Sequence, residues 1–323
     1  MVRALRIHER GGPEVLRVED VPTPEPGPGQ VRIRHTAIGV NFIDVYQRSG
    51  LYQVPLPAVL GQEAAGVIDA LGPGVADFRV GDRVAMYTGE GAYAEMSVCA
   101  AGRVVKLPLG VQDDVAAAAL VKGMTARVLL KVTRKVGPGD VIVWHAAAGG
   151  VGQIATQWAA KLGAMVIGVV GSEAKAEIAK AHGCAHVLVS GRDDIAQSVR
   201  ALTNGEGAQV VYDSVGKDTF DASIDSLAPL GMLVSFGNAS GPPPPVPGQL
   251  LASKGSLYFT RPTIVTYTRT PALLREHAGD LFDAIAHGIV AVERPYVYAL
   301  SDAAQAHRDL EGRKTTGSLV LIP

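Results

Sequence analysis

The sequence predicts an α/β protein in which a small, irregular β-barrel is joined to a doubly wound parallel sheet. The length of 323 residues suggests about two domains. Up to about Pro108, short apolar segments are broken by glycine and proline turns, a pattern that favours a barrel. From Asp113 onward, buried-strand patterns alternate with helical patterns, which is typical of a parallel sheet covered by helices.

Turn signals separate the predicted strands of the N-terminal part. Gly11-Gly12-Pro13 and Gly72-Pro73-Gly74 are two of these turns. The predicted strands are 2–8, 31–37, 66–71, 83–87 and 93–98.

The middle of the chain alternates strand with helix. Val141-Ile142-Val143-Trp144 is a continuous apolar run, as expected of a strand that is buried on both faces. The predicted strands are 141–144, 165–170, 186–189, 209–213, 232–236 and 256–259, and the predicted helices are 113–135, 151–162, 173–182, 195–203, 219–227 and 271–287. We expect roughly the last 60 residues, which end in the apolar stretch 318–322, to return to the first domain.

Composition excludes several classes of function. The formal net charge is −1 and basic residues are interspersed with acidic ones, so we expect no binding to nucleic acid or to an anionic membrane. No apolar run approaches the roughly 18 residues that span a bilayer, and the N-terminus lacks a signal-peptide pattern. The two cysteines, Cys99 and Cys184, are too few for a four-cysteine zinc lobe and are expected to be reduced. We therefore expect a soluble, cytoplasmic protein.

The loop at 145–152 matches a dinucleotide-binding fingerprint. It reads His-Ala-Ala-Ala-Gly-Gly-Val-Gly and places Ala147, Gly149 and Gly152 at the three glycine positions. Gly149 would let the backbone approach a pyrophosphate, and Gly152 would let the helix lie close to the strand. The structural alternative is a tight turn whose small residues only allow packing. The loop's place between a strand and a helix favours the binding function.

The end of the second parallel strand indicates which dinucleotide binds. NAD enzymes usually have an acid there for the ribose 2′-hydroxyl, whereas this strand is followed by Gly171 and Ser172. Lys175, one turn into the next helix, could meet a 2′-phosphate. Glu173 is a competing feature, which we interpret as a first-turn acid favoured by the helix dipole. The sequence therefore favours NADPH over NADH.

Several longer segments together show a family resemblance. They are 11–16, 38–44, 48–52, 61–66, 139–152, 211–216 and 235–238, the fourth of which reads Gly-Gln-Glu-Ala-Ala-Gly. In these segments the chain resembles the quinone oxidoreductases, the zeta-crystallin branch of the medium-chain dehydrogenase/reductase superfamily. The resemblance implies a GroES-like domain formed by 1–122 and 265–323 and a Rossmann domain at 123–264, with the cofactor in the cleft between them. It also implies a homodimer made by edge-to-edge pairing through the strand near 256–259.

The same resemblance assigns residues to the site. Zinc-dependent relatives hold their metal with a cysteine and a histidine, and the matching positions here are Asn41 and Gln62, neither of which is a good zinc ligand. We therefore expect no metal. Relatives often place a tyrosine against the adenosine where this chain has Ser190. The residues predicted to bind the cofactor are Asn41, Thr125, Ala147, Gly149, Gly150, Val151, Gly152, Gly171, Ser172, Lys175, Ser190, Phe236, Asn238, Phe259 and Arg313.

Hydride transfer to a quinone or an enone builds negative charge on the acceptor oxygen, so hydrogen-bond donors should matter more than a strong acid. The predicted catalytic residues are Asn41, Tyr46 and Tyr52, although Tyr46 could equally be a packed helix residue. Lys122 is a weaker candidate and could be a surface charge. Two of the eight histidines, His8 and His145, are considered for catalysis, but we expect a structural hydrogen-bonding role for His145.

The predicted function is zinc-independent NADPH:quinone reduction. One alternative is NADPH-dependent reduction of α,β-unsaturated aldehydes or ketones. Another, from a different class, is a crystallin-like structural role or binding of AU-rich RNA, which the near-neutral charge disfavours.

Overall fold

The computed structural model describes residues 1–323, and the chain divides into two compact units. Unit 1 comprises 1–124, 268–286 and 292–323, and unit 2 comprises 125–267 and 287–291. None of the ten helices combines the length and the hydropathy that crossing a bilayer requires.

The elements are numbered here along the chain. The first stretch contains β1 (Val2–Ile7), β2 (Arg17–Val21), β3 (Gln30–Val40), α1 (Phe42–Ser49), β4 (Ala58–Val59), β5 (Glu63–Leu71), β6 (Arg83–Tyr87), β7 (Met96–Ala100), β8 (Val104–Lys106) and α2 (Asp113–Val128). The middle contains β9 (Val141–His145), α3 (Gly150–Lys161), β10 (Met165–Val170), α4 (Glu173–Ala181), β11 (His186–Val189), α5 (Ile195–Leu202), β12 (Ala208–Asp213), α6 (Phe220–Asp225), β13 (Leu227–Ser235), α7 (Gly248–Ser253), β14 (Tyr258–Thr260) and α8 (Ile264–Tyr267). The last stretch contains α9 (Pro271–Ala286), β15 (Tyr296–Ala299), α10 (Ala303–Glu311) and β16 (Leu319–Ile322).

Strand β3 organises unit 1. It pairs antiparallel with β5, β7 and β16, in a sheet whose main order is β15-β16-β3-β5-β6-β8. A second sheet has the order β2-β1-β4. Apolar residues of β3, among them Ile33 and Ile38, lie in one core with Ile68 and Met86. Strand β16, from the far end of the sequence, therefore closes the same core as the N-terminal strands.

His35, on β3, is a buried polar residue within this unit. Its Nδ1 donates to the carbonyl oxygen of Ala94 (2.7 Å), and its Nε2 accepts from the hydroxyl of Ser97 (2.8 Å). Burial lowers the pKa of His35 from 6.5 to about 4. The imidazole of His35 is therefore neutral in the folded state, whereas in the unfolded state it becomes protonated as the pH falls below 6.5.

Because the folded-state pKa of His35 is depressed, its contribution to stability is present above about pH 6.5 and is lost as the pH falls towards 4. The expected loss from this residue is about 3 kcal/mol in the free energy of unfolding between pH 7.5 and pH 4. His35→Gln keeps a donor and an acceptor, so its urea denaturation should depend less on pH than that of the wild type by this amount. His186→Gln, at a half-buried histidine of β11, is the control. Equal pH dependence of wild type and His35→Gln would contradict the prediction.

Unit 2 contains one parallel sheet with the strand order β11-β10-β9-β12-β13-β14. The order reverses direction at β9 and β12, as in the doubly wound dinucleotide-binding fold. Trp144, on the central strand β9, is 1% exposed and stacks against Tyr212 with ring centroids 4.6 Å apart. The continuous apolar run in the sequence thus corresponds to a strand covered on both faces, and the predicted fold class is confirmed.

Several predicted elements were wrong in their bounds. The strand predicted at 93–98 lies at 96–100, because the backbone of Tyr93 is hydrogen-bonded to Leu5 and Leu60 and not to β3, the strand with which 96–100 pairs. The helix predicted at 113–135 ends at Val128 and continues as a π-helical turn, 129–133. The strand predicted at 232–236 starts at Leu227, and the helix before it is shortened to 220–225. Strands β2, β4, β8 and β15 and helices α7, α8 and α10 were not predicted.

Candidate active site

Many of the predicted cofactor residues lie at the carboxyl edge of the parallel sheet in unit 2. The strands are in register there, with His145 beside Val169 and Val170 beside Val189. Backbone hydrogen bonds continue this register beyond the strand ends, from Ala147 N to Val169 O (3.1 Å) and from Ser190 N to Val170 O (2.8 Å). In an open parallel sheet this edge is where ligands bind.

The loop after β9 makes a tight turn into α3. Ala146 takes the positive φ of the turn (54°), so Ala147 needs no glycine conformation. A Cβ at Gly152 would overlap the carbonyl oxygen of Ala146 and lie 2.6 Å from that of Ala147. Glycine at 152 is therefore what allows α3 to start this close to the strand.

Helix α3 begins without a side-chain cap. Gly149 is its N-cap, no side chain accepts a hydrogen bond from the first turn, and that turn contains no acidic residue. By contrast, α5 is capped by Asp194, whose carboxylate accepts from Gln197 N. The first N–H groups of a helix have no partner within it, and they carry the positive end of its dipole. The first turn of α3, which includes Gly150 and Val151, therefore suits an anion such as a pyrophosphate.

The segment after β10 presents small residues and then Lys175. Ser172 is the N-cap of α4, and Lys175 N donates to Ser172 O (3.1 Å). A Cβ at Gly171 would meet nothing within 4 Å, so the space beside it is open. Glu173 forms an ion pair with Arg192, which follows β11. Arg192 also donates to both carboxylate oxygens of Asp193 (2.8 and 2.7 Å). The competing acid of the sequence analysis is thus engaged by a neighbouring arginine.

The remaining predicted cofactor residues differ in their surroundings. Ser190 is exposed after β11, while Phe236 and Asn238 follow β13, with the ring of Phe236 5.5 Å from Trp144. Phe259, in β14, packs against the apolar core of unit 2. Thr125 lies within α2, and Arg313 belongs to unit 1, in a turn after α10 with φ of 56°.

Asn41, in unit 1, is held at two points. It is the N-cap of α1, and its backbone N–H donates to Asp44 Oδ2 (2.8 Å). Its side-chain Nδ2 donates to Glu63 Oε1 (2.9 Å). Asn41 is 8% exposed, and both carboxylates are completely buried. The side chain of this predicted catalytic residue is therefore fixed by its surroundings.

Tyr46 and Tyr52 lie beside each other in unit 1. Tyr46 is in α1 and Tyr52 is in the loop that follows, with Tyr52 N donating to Tyr46 O (3.0 Å). Their rings meet edge to face with centroids 5.3 Å apart, and both side chains are half-buried. The structure thus brings the two phenols together. A half-buried Tyr46 in α1 is compatible with both interpretations of this residue, a hydrogen-bond donor in catalysis and a packed helix residue.

A buried polar network stands behind Asp44. Arg48 donates to His307 Nδ1 (3.1 Å), so Nε2 of that ring carries the proton and donates to the oxygen of Tyr93 (3.0 Å). The hydroxyl of Tyr93 in turn donates to Asp44 Oδ2 (2.9 Å). Arg48 also binds Glu311 with two hydrogen bonds of 2.8 Å. The network ties α1 to α10.

Burial controls the titration of this network. It lowers the pKa of His307 to about 3, with a further lowering by Arg48, so the imidazole is neutral as the hydrogen bonds require. It raises the pKa of Asp44 to about 7, against the opposing hydrogen bonds from Asn41 and Tyr93. The sequence analysis missed these residues. One signal was available, since Asn41 followed three residues later by Asp44 is a capping pattern.

Lys122 is buried, so its interpretation as a surface charge was wrong. Its Nζ lies 3.6 Å from Glu63 Oε1 and 3.2 Å from the carbonyl oxygen of Val40.

His145 has the predicted structural role: its Nε2 donates to Ser223 Oγ (3.0 Å), whose hydroxyl donates to Asp213 (2.7 Å). Burial lowers the pKa of His145.

Asn41 and Gln62 stand at the two positions that correspond to zinc ligands in metal-dependent relatives. The side-chain amides of both residues make hydrogen bonds within the protein. Gln62 Nε2 donates to the carbonyl oxygen of Gly89 and to Gln47 Oε1, and Asn41 Nδ2 donates to Glu63. No group of three or more His, Cys, Asp or Glu side chains is arranged to hold a metal ion. Two amides that direct N–H groups at carbonyl and carboxylate oxygens do not form a zinc-binding set.

Comparison with known proteins agrees with this geometry. The family model described as alcohol dehydrogenase GroES-like domain matches 27–109, and the one described as zinc-binding dehydrogenase matches 150–277. The chain is 49% identical to a quinone oxidoreductase of Pseudomonas aeruginosa, with both chains covered completely. It is 46% identical to a 2-haloacrylate reductase of a Burkholderia species, over 100% of this chain and 99% of the relative.

A solved structure is similar over the same length. The quinone oxidoreductase of Escherichia coli complexed with NADPH superposes with a TM-score of 0.97 at 42% identity, over 99% of this chain and 100% of the other. Similarity of this extent includes both units and the whole length of the relatives. The chain therefore belongs to the quinone oxidoreductase branch of the medium-chain dehydrogenase/reductase superfamily.

Proposed function

We propose that the protein is an NADPH-dependent quinone oxidoreductase that works without a metal ion. The observation that carries this proposal is the small-residue loop with Gly152 that leads into the N-terminus of α3 at the carboxyl edge of the parallel sheet. The relatives described above, one of them complexed with NADPH, support the same activity.

The residues present fit a dinucleotide. Glycine at 152 leaves no Cβ against the turn, and the first turn of α3 offers N–H groups to a pyrophosphate without competition from a side-chain cap. Lys175 of α4 and Arg313 of unit 1 are proposed to bind the 2′-phosphate. NADPH, when bound, supplies the hydride.

The chain's own residues provide binding and hydrogen bonding. We assign Asn41 and Tyr52 as donors to the oxygen that gains negative charge when the acceptor is reduced, and Tyr46 as a support that packs on Tyr52. Donors that are fixed before the reaction stabilise developing charge without having to reorganise. The two contacts of Asn41 with Asp44 and Glu63 supply that rigidity.

A second acceptor class is favoured by one observation, the 46% identity with the 2-haloacrylate reductase. Reduction of an activated double bond conjugated to a carbonyl also places negative charge on an oxygen, so the same donors would serve. A panel of simple quinones, enals, enones and 2-haloacrylate, assayed with NADPH, separates the two activities. We expect the highest kcat/KM with quinones. A higher kcat/KM with 2-haloacrylate or an enal would replace the quinone assignment with the second one.

We further propose that the protein is a cytoplasmic homodimer. Strand β14 is an edge strand of the parallel sheet in unit 2, and its Tyr258 is 57% exposed. An uncovered edge strand offers unpaired backbone groups to a second copy. Sedimentation velocity is expected to give the mass of a dimer, and a monomer at micromolar concentration would contradict this, while cell fractionation tests the location.

A further inference from the structure

A buried ion pair lies next to Asn41 in unit 1. Glu63, the first residue of β5, is completely buried, and the side chain of Lys122 in α2 is 8% exposed. Their charged atoms are 3.6 Å apart. Removing two charges from water is unfavourable unless further hydrogen bonds compensate, so the partners of this pair identify what it does.

Every contact of the Glu63 carboxylate is with a donor. Oε2 accepts from the backbone N–H of Val121 (2.6 Å), and Oε1 accepts from Asn41 Nδ2 and faces Lys122. A protonated carboxyl would need an acceptor for its O–H, and neither oxygen makes a hydrogen bond to one. Burial raises the pKa of Glu63, and Lys122 is the largest of the influences that lower it, followed by Asn41 and Val121. The arrangement therefore fits an ionised Glu63 whose charge depends on Lys122.

Glycine at position 39 leaves room for this carboxylate. Gly39 on β3 is the register partner of Glu63, and a Cβ at position 39 would overlap the carbonyl oxygen of Ala117 and lie 2.5 Å from Glu63 Oε1. A side chain at this point would push the carboxylate away from Asn41. The glycine thus allows the contact between Glu63 and Asn41.

The contact also decides the orientation of the Asn41 amide. The two ends of an amide have nearly the same shape, but only the nitrogen can face an ionised carboxylate. Because one N–H of Nδ2 is used by Glu63, a single N–H remains for another acceptor, and its direction is fixed.

We propose that Glu63 and Lys122 are positioning residues, in which Glu63 holds the Asn41 amide so that its second N–H points at the acceptor oxygen, and Lys122 keeps Glu63 charged. This inference rests on the proposed function, in which Asn41 donates to that oxygen. Neither residue needs to touch the substrate.

The variant Glu63→Gln tests the orientation. A glutamine has one acceptor end, which Val121 N–H would occupy, so its Nε2 would face Asn41 and force that amide to turn over. The donor nitrogen of Asn41 would then move by about 2 Å, and a misplacement of about 1 Å can cost about 100-fold in rate. We expect kcat to fall about 100-fold, while the Kd for NADPH, measured by titration, changes by less than about threefold.

The double variant Glu63→Gln/Lys122→Met removes the uncompensated charge that the single variant leaves buried, and it inverts Asn41 in the same way. Its kcat should be as low as that of the single variant. The matched control is Arg32→Met/Asp69→Asn, which removes an ion pair (2.7 Å) near the other end of the same two strands, β3 and β5, and should keep the wild-type kcat. A folded double variant with wild-type kcat would overturn the proposal.

A measurement on the wild type does not depend on folding of the variants or on quinone activity. In the NMR spectrum, the side-chain amide of Asn41 is assigned by its loss in Asn41→Asp. We expect one of its two protons to exchange slowly with solvent because it is bonded to Glu63, and two rapidly exchanging protons would overturn the proposal. If the wild type shows the slow proton but reduces no quinone, the proposed function fails while the contact between Asn41 and Glu63 remains.

Discussion

Asn41→Ala is expected to reduce kcat with a quinone about 100- to 1,000-fold, because removal of one fixed donor to a developing oxyanion costs about 2.7–4 kcal/mol. The Kd for NADPH should change much less, since Asn41 is proposed to contribute mainly in the transition state. Steady-state kinetics with NADPH and a quinone, together with a cofactor titration, separate the two effects.

Tyr52→Phe is expected to act in the same direction, because it removes a phenol and keeps the ring that packs on Tyr46. Gln53→Ala is the control, since Gln53 is the exposed neighbour of Tyr52 and its side chain donates only to Gly50 O (2.9 Å). The control should keep the wild-type kcat. If Asn41→Ala and Tyr52→Phe alter only the Kd for NADPH, these residues bind the cofactor and are not catalytic.

Lys175→Ala is expected to weaken NADPH binding about 10- to 150-fold and to leave NADH binding nearly unchanged. A charge-assisted contact to a phosphate contributes about 1.5–3 kcal/mol, and NADH lacks the 2′-phosphate. Lys180→Ala is the matched control, because Lys180 lies on the same helix, α4, and pairs with Glu177 (2.8 Å). If Arg313 shares the phosphate, the single variant keeps part of the preference and the double variant with Arg313→Ala loses it.

Glu173 decides whether this assignment is correct. Its ion pair with Arg192 directs the carboxylate to a protein partner, so Glu173→Ala should leave NADH binding almost unchanged. If the wild type binds NADH as tightly as NADPH, and Glu173→Ala selectively weakens NADH, the acid holds the ribose and the NADPH assignment is wrong.

The parallel sheet of unit 2 could be predicted because its signals are local. The apolar run at Val141–Trp144, the small residues up to Gly152 and the next apolar strand lie within 30 residues, so periodicity and turn chemistry locate them without tertiary information. The barrel strands were less predictable. Exposed edge strands such as β2 and β15 lack an apolar alternation, because the partner strand and not burial stabilises them.

The candidate site was predictable only in part. Asn41, Tyr46 and Tyr52 lie within twelve consecutive residues and could be identified together through the family resemblance. Glu63, Lys122 and His307 become neighbours of α1 only through strand register and through α10 from the far end of the chain. A charged residue within an apolar segment indicates a buried ion pair only when its partner is known. The partner of Glu63 is Lys122, which is 59 positions away in the sequence.

The central claim is that this protein transfers reducing equivalents from NADPH to a quinone without a metal ion. The most direct test is the initial rate of NADPH oxidation, followed at its absorbance maximum, by protein whose zinc content has been determined by elemental analysis before and after treatment with a chelator. The account predicts quinone-dependent oxidation of NADPH by protein that contains no stoichiometric zinc, at the same rate with and without chelator. About one zinc per chain, lost on chelation together with the activity, would contradict it.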